Sequence, residues 1–465
     1  MRFLFYVCLL VFNINYLPAQ EIQSQSRIDE IVVTAEFNDI DAYSISSSIS
    51  IIGENDIFKR NANHLEDLLF IAPNVNYSSG ASRGKFYQIR GIGERSEFTE
   101  PVNYSVGVII DGIDFTGIAL GASTFDVKQV EILRGPQGTL YGANALAGLI
   151  NIVSNDPTED FYSEISGSIS EFGGKDFGII ISNSNENNFG YRLGFKNSKS
   201  DGFVKNVFLN RDDTNDIDET ISRAKFTKNN DTTKLTLNIF YADIDNGYDA
   251  FSLDNNRTTY SDEPGYDRQK TTAASTKFEK TLRNNNTIEI LASFSDSELG
   301  YAYDEDWSNT GICEKTPCDS TLFGFDWWYS SFDSFNRDNT NHSIDLRYIS
   351  NSENVNWVVG FYNRDQDINL IRKYTYLQND FKSSFDTRNS AIYGQFTNNF
   401  TNKIKFQAGL RYEDRRADYL DNNGPVPEGF VCIEIYPRPD SCLFDNNYSK
   451  SENFWGGQIS LQNQI

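Results

Sequence analysis

Carboxylates dominate the side chains that could do chemistry, with 65 Asp and Glu against 41 Lys and Arg, 2 His and 5 Cys in 465 residues. At that density neighbouring carboxylates arise by chance, so closeness in sequence nominates no general acid or base. Gly-x-Ser-x-Gly, His-Glu-x-x-His and Walker-type loops are absent. Gly91-Ile92-Gly93 lacks the third glycine and the following helix of a nucleotide loop. The chain is therefore read as a non-enzyme without a cofactor, whose work is binding. A formal charge of −24 excludes nucleic acid as a natural partner, because phosphate contacts need a basic surface.

Four cysteines form two close pairs, Cys313 with Cys318 and Cys432 with Cys442, each in a polar, turn-rich stretch. In an exported chain such pairs most simply mean local disulfides that pin loops. A zinc site is the sharper alternative, but neither His64 nor His342 is near, and no metal is expected there. His64 fits the start of a short helix better than a ligand role.

The elements that must position these residues change character along the chain. Residues 1–20 have Arg2 before an apolar run and Ala19 near a plausible cleavage point, the outline of a secretory signal peptide, although Leu17 suits the −3 position poorly. Cys8 would be removed with it. No later stretch approaches the roughly 20 apolar residues of a spanning helix, so a membrane location would require a barrel. Residues 48–157 read as a small mixed domain. A strand at Ser50-Ile51-Ile52 precedes a helix over about 56–60 capped by Asn55, and a second helix over about 64–71 is stopped by Pro73. Strands follow over 86–90, 105–111, 130–134 and 149–154. The stretch 131–154 is strand, turn, strand, with Gly135-Pro136, Gly138, Gly142 and Gly148 permitting tight turns and close backbone approach.

After Asp156-Pro157 long alternating strands take over. Ile404, Phe406, Ala408, Leu410 and Tyr412 share one face, and Lys405, Gln407, Gly409, Arg411 and Glu413 the other. Leu235, Leu237, Ile239 and Tyr241, then Ile344, Leu346 and Tyr348, then Trp357, Val359 and Phe361, repeat the pattern. Period-two patterning also fits a soluble sandwich or β-helix. Aromatics at 14%, one Met and 11 Pro suit many strands and turns.

Three segments in order carry a family likeness. They are Tyr87-Gln88-Ile89-Arg90-Gly91, Val108-Ile109-Ile110-Asp111-Gly112, and the run from Leu133-Arg134-Gly135-Pro136-Gln137-Gly138-Thr139-Leu140-Tyr141-Gly142 to Ile150-Asn151-Ile152-Val153. They resemble the "IRG", "VDG" and "LRGPQGTLYG…GGxINIV" segments of the plug domain of TonB-dependent outer-membrane receptors. Ala147-Gly148 stands where many members have Gly-Gly. The resemblance implies a mainly β chain, with a small α/β plug (48–157) inside an antiparallel transmembrane β-barrel (158–465), apolar outward and polar inward. About twelve candidate strands can be counted, about half of the 22 of plugged transporters, so the chain is read as the N-terminal part of a longer barrel protein.

The same likeness makes Asp29-Glu30-Ile31-Val32-Val33-Thr34-Ala35, within a periplasmic segment 21–47, a TonB box. Such a segment must be extended and exposed, able to add to a partner's sheet. The implied function is ligand-gated import across the outer membrane of a Gram-negative bacterium. Outer-membrane lipid surrounds the barrel, and the TonB, ExbB and ExbD complex supplies work from the proton gradient. An iron chelate is the first expectation for the solute, and cobalamin, a saccharide or another nutrient remains open. A passive porin and a secreted β-rich adhesin are the readings of other classes. In relatives the arginines of the "IRG" and "LRGP" segments pair with barrel glutamates, which nominates Arg90 and Arg134, with Glu131 beside them, as a plug lock. Glu413 is a candidate partner, or merely lines a wet interior. Expected plug apices at 77–85 and 93–104 offer Arg83, Lys85, Arg95, Phe98 and Tyr104 to an anionic chelate, although any solvated loop holds such residues. Trp307, in a long aromatic and acidic loop with Phe323, Phe325, Trp327, Trp328 and Tyr329, would suit stacking on a chelate or sugar. For Trp327 to Tyr329 an interfacial girdle fits equally well.

Overall fold

A computed structural model describes the backbone of two short strands near the N-terminus, and residues 48–463 apart from 79–81, 97–103, 138–144, 254–255, 313–328, 353–354, 378, 402–403 and 425–443. The short strands, β1 (Val32–Val33) and β2 (Ile40–Asp41), pair antiparallel. The rest of the TonB-box segment, both cysteine pairs, Phe98, Phe323, Phe325, Trp327 and Trp328 lie outside the described residues.

The small domain begins with β3 (Ser48–Gly53), α1 (Glu54–Lys59) and α2 (Glu66–Leu69). A hairpin follows, β4 (Val75–Ser78) with β5 (Phe86–Ile89), then β6 (Val106–Ile110), β7 (Ile113–Asp114), β8 (Val127–Arg134) and β9 (Gly148–Ser154). One five-stranded sheet runs β3-β8-β9-β6-β7, and β6 and β9 pair parallel. Its central strands are apolar on both faces because both are covered. Val130, Ile132, Ile150 and Ile152 face the helices' Leu65 and Leu68, while Leu133 and Leu149 pack with Ile49 and Ile51 on the other side. Two local expectations change. Gly53, not Asn55, occupies the N-cap of α1, and Asn55 lies inside its first turn. α2 is shorter than the apolar spacing suggests, because the backbone at 63–64 bends to let Asn63 N and His64 N donate to the Asp67 carboxylate at 2.9 and 3.0 Å.

Twelve strands form the second sheet, and each pairs antiparallel with the next of them along the chain. They are β10 (Tyr162–Ile169), β11 (Lys175–Ser184), β12 (Phe189–Ser200), β14 (Ile217–Asn230), β15 (Thr233–Tyr248) and β17 (Gly265–Thr281). β18 (Thr287–Asp304), β19 (Phe332–Asn351), β20 (Val355–Tyr374), β21 (Phe381–Asn399), β22 (Ile404–Asp421) and β23 (Asn446–Asn463) continue it. Two short strands outside it, β13 (Lys205–Asn206) and β16 (Thr258–Thr259), pair parallel with each other. One end of the sheet has tight turns such as 231–232 and 282–286, and the other the long connections 201–216, 249–264 and 305–331. In outer-membrane barrels short turns face the periplasm and long loops the exterior. β17 to β22 run 17 to 20 residues. That is about twice the 9–11 that a tilted strand needs to cross a bilayer, so their ends stand well beyond it. No described helix is long and apolar enough to cross a membrane.

The alternation places side chains as the sequence implies on β22. Leu410 is 55% exposed on the outer face, whereas Arg411 and Glu413 are buried on the inner one. On β15 the inner face departs from the polar expectation. Phe240, Ala242 and Ile244 are buried there and join the core of the small domain. The plug seats against that wall, so its lumen face is apolar.

Candidate functional site

The features that matter are those joining plug to barrel. Two of the three motif segments are hairpin turns. Arg90 and Gly91 both adopt left-handed φ, 54° and 82°, between Ile89 and Ile92, which exchange backbone hydrogen bonds of 2.9 and 3.1 Å. Asp111 and Gly112, at 48° and 80°, join β6 to β7 in the same way. Two consecutive positive φ values define the type I′ turn that matches strand twist, and glycine in the second place lowers its cost.

The Asp111 turn reaches the barrel wall. Its carboxylate accepts from Ser154 N at 2.9 Å, and Arg223 and Lys225 of β14 stand 3.6 and 3.8 Å away. Lys225 also donates to the Ser154 carbonyl at 2.8 Å. Asp126, itself at φ 56°, holds Arg192 of β12 at 2.6 Å. Asp114 meets Arg364 of β20 at 3.2 Å.

Nearer the long-loop end the signs are reversed, with plug cations on barrel carboxylates. Lys85 Nζ donates to Asp267 Oδ1 of β17 at 2.8 Å, both side chains being almost wholly buried. Ser82 donates to the other Asp267 oxygen through its N and Oγ. Arg83 forms a fork on Glu219 of β14, at 2.8 and 3.1 Å, and also reaches Glu66. The paired carboxylates hold the Arg83 guanidinium above its ordinary pKa against the opposing effect of burial. Apolar contact runs between these layers, with Phe115 edge-on to Phe240 at 5.1 Å. Planar Arg–carboxylate forks and buried ion pairs of this kind fix one relative orientation.

The residues nominated from sequence are distributed differently. Arg134 bonds inside the plug, with Nε donating to the Pro73 carbonyl at 2.9 Å and Nη2 to Ser50 Oγ at 2.6 Å. Glu131 is fully buried and accepts from Gln129 and Asn151. Arg90 is exposed at its turn and lies close enough to Arg134 to add to the lowering of that guanidinium's pKa by burial. Glu413 faces the lumen as expected, but accepts from Arg411 and Asn389 of the barrel itself. Among the described residues, therefore, the plug–barrel ion pairs fall on Arg83, Lys85, Asp111, Asp114, Asp126 and Asp156 rather than on Arg90, Arg134 and Glu131. The expectation of free ligand-binding cations is likewise corrected for Arg83 and Lys85, because both are committed to the barrel wall. Arg95 is exposed, and Tyr104 stacks on Phe86 at 6.4 Å. Trp307 stacks face to face on Phe251 of the neighbouring loop at 4.0 Å, both rings partly exposed. His64 is a structural residue. Its Nε2 bonds the Ala119 and Leu120 carbonyls, Nδ1 accepts from Glu66 N, and burial lowers its pKa.

Comparison with known proteins agrees with this architecture. Residues 41–149 match the family model of the TonB-dependent Receptor Plug Domain. The vitamin B12 transporter BtuB of Vibrio vulnificus is 29% identical over 159 residues, 34% of this chain and 25% of that protein. Among solved structures, the ferric yersiniabactin uptake receptor FyuA from Yersinia pestis superposes with a TM-score of 0.72 at 17% identity, over 89% of this chain and 62% of that one. The siderophore receptor PiuA from Acinetobacter baumannii gives 0.70 at 14% identity, over 91% and 63%. The chain thus spans less than two thirds of the length of these receptors. A plug domain against a long antiparallel β-sheet is the architecture these outer-membrane receptors share. Residues 41–149 are a plug domain of the TonB-dependent receptor type, and the chain shares the fold of outer-membrane receptors that carry such a plug.

Proposed function

We propose that this protein is an energy-coupled importer of a scarce solute, most simply a ferric siderophore or other iron chelate. The observation that carries the reading is the seat itself, a plug held in the lumen by buried ion pairs at two levels. A passive porin needs an open lumen, and this one is filled by a domain that must shift for anything sizeable to pass. In this reading residues 21–47 present the box 29–35 to TonB, with ExbB and ExbD supplying proton-motive work. The long loops with Trp307, and the plug residues Arg95 and Tyr104, meet the ligand outside. A ligand acts as a trigger only by contacting the resting and signalling states differently.

The iron reading is supported by the two solved neighbours, named for yersiniabactin and siderophores. A cobalamin reading has its own support, since the curated relative BtuB is a vitamin B12 transporter. Titrating the purified protein with a panel of ferric chelates and with cyanocobalamin, read by tryptophan quenching, separates them. Saturable binding of a ferric chelate is expected. Saturation by cyanocobalamin alone would transfer the assignment to the second reading, and saturation by neither would remove both.

A further inference from the structure

Asp249 follows β15 directly and opens the connection 249–264, at the long-loop end of the sheet. Its side chain is nevertheless buried. Oδ2 accepts three hydrogen bonds, from Asn206 Nδ2 at 2.8 Å, Thr214 Oγ1 at 2.9 Å and Thr259 Oγ1 at 2.7 Å. Two of these donors belong to the connection 201–216 and the third to its own. All three are neutral, and Asn206 and Thr259 are almost wholly shielded from water. Burial raises the pKa of Asp249 and the three hydrogen bonds oppose the rise, the balance of a carboxylate whose donors replace water.

The backbones meet at the same place. β13 and β16 pair parallel, with Lys205 N donating to the Arg257 carbonyl at 2.9 Å and Val207 N to the Thr259 carbonyl at 3.0 Å. Asn206 serves both connections. Its Nδ2 also reaches the Ser261 carbonyl at 2.9 Å, and its Oδ1 accepts from Leu209 N at 2.8 Å and so closes the turn 207–210. At the root of the two connections Gly247 N donates to the carbonyl and to the carboxylate of Asp216, both at 3.0 Å. A Cβ at Gly247 would stand 2.7 Å from the Thr214 carbonyl oxygen, so the backbones touch there. Arg257 lies over the Phe203 ring at 6.0 Å. A lone pair of two-residue strands is marginal in water. A buried acceptor shared by three donors changes that, because each donor would be stranded without it.

We infer that Asp249 latches the outer connections 201–216 and 249–264 into one body, which opens only as a unit. Two separate loops would each lose conformational freedom on meeting a solute, whereas a latched pair has lost it on folding. This side of the mouth is therefore a preformed rim that carries the exposed Phe203, Phe208 and Phe251 in fixed relation. Any lid movement here has to carry both connections together. The inference concerns the loops alone and stands whichever solute is imported.

The test follows hydrogen exchange at 205–211 and 257–261 in the complete chain in detergent. Asp249→Leu removes the shared acceptor and should accelerate both segments about tenfold or more, with β18 to β20 exchanging as before. Thr214→Val keeps the side-chain shape, removes one donor from the connection 201–216, and should accelerate 257–261 as well as 205–211, each about threefold or more. Exchange of the unaltered protein over rising urea should show both segments opening in one step, a readout that does not depend on the variants folding. Acceleration confined to the connection that carries the substitution would overturn the proposal. Unchanged exchange in Asp249→Leu, or separate opening of the two segments in the unaltered protein, would do the same.

Discussion

Lys85 and His64 show how burial turns a charge into a structural commitment. The Lys85–Asp267 pair is removed from water on both sides, and the lysine also lies over the Tyr301 ring at 5.1 Å. Removing one partner strands the other, at a cost of about 3–5 kcal/mol. Lys85→Met should loosen the plug by that order, and Lys85→Met/Asp267→Asn should recover part of the loss, read as hydrogen exchange at the plug–barrel contact. An additive double variant would show that the two residues do not act as a pair. His64 acts through neutrality. Burial lowers its pKa below the ordinary 6.5, so the folded plug prefers the uncharged ring. Its contribution is present above about pH 6.5 and is lost as pH falls from there through the lowered value. Plug unfolding followed against pH should show this acid destabilisation, and His64→Gln should flatten it. The sequence allowed the structural reading of His64 because the residue heads an apolar helical spacing, although the helix itself begins at Glu66. It could not disclose the partners of Lys85 and Arg83, which lie 182 and 136 residues away. Both cations look from sequence like loop residues open to a ligand.

At the level of elements, the glycines of the motif segments answer two different demands. A Cβ at Gly148 would stand 2.3 Å from the Leu133 carbonyl oxygen, where β8 and β9 approach. A Cβ at Gly91 meets nothing within 4 Å, and only its φ of 82° is unfavourable. Gly91→Ala should cost about 1–2 kcal/mol for the left-handed conformation. Gly148→Ala should cost more, because backbone must move. Thermal unfolding of the two variants ranks them, and equal midpoints would show that the close approach at Gly148 adds nothing. These strands were legible because glycine spacing and β-branched runs are local signals. Helix limits were less so. Asp67 draws the backbone of Asn63 and His64 into a turn, and that hydrogen bonding outweighs the apolar spacing which suggested a longer α2. Barrel strands were legible from their period, except at the inner face of β15. There Phe240, Ala242 and Ile244 obey a partner domain rather than a wet lumen, and no pattern within the strand reveals that partner.

For the whole molecule, the proposed import follows from a plug pinned at two levels, which would make passage conditional on work. The outer membrane lacks a nucleotide supply, and the ion pairs that hold the plug must be exchanged for others when it shifts. The most direct measurement of energy-coupled import is uptake of labelled ferric chelates and cobalamin by cells carrying this protein, with and without functional TonB. Accumulation of one of these solutes that disappears when TonB is removed is the predicted result. Accumulation that persists undiminished without TonB would contradict it and make the protein a passive channel.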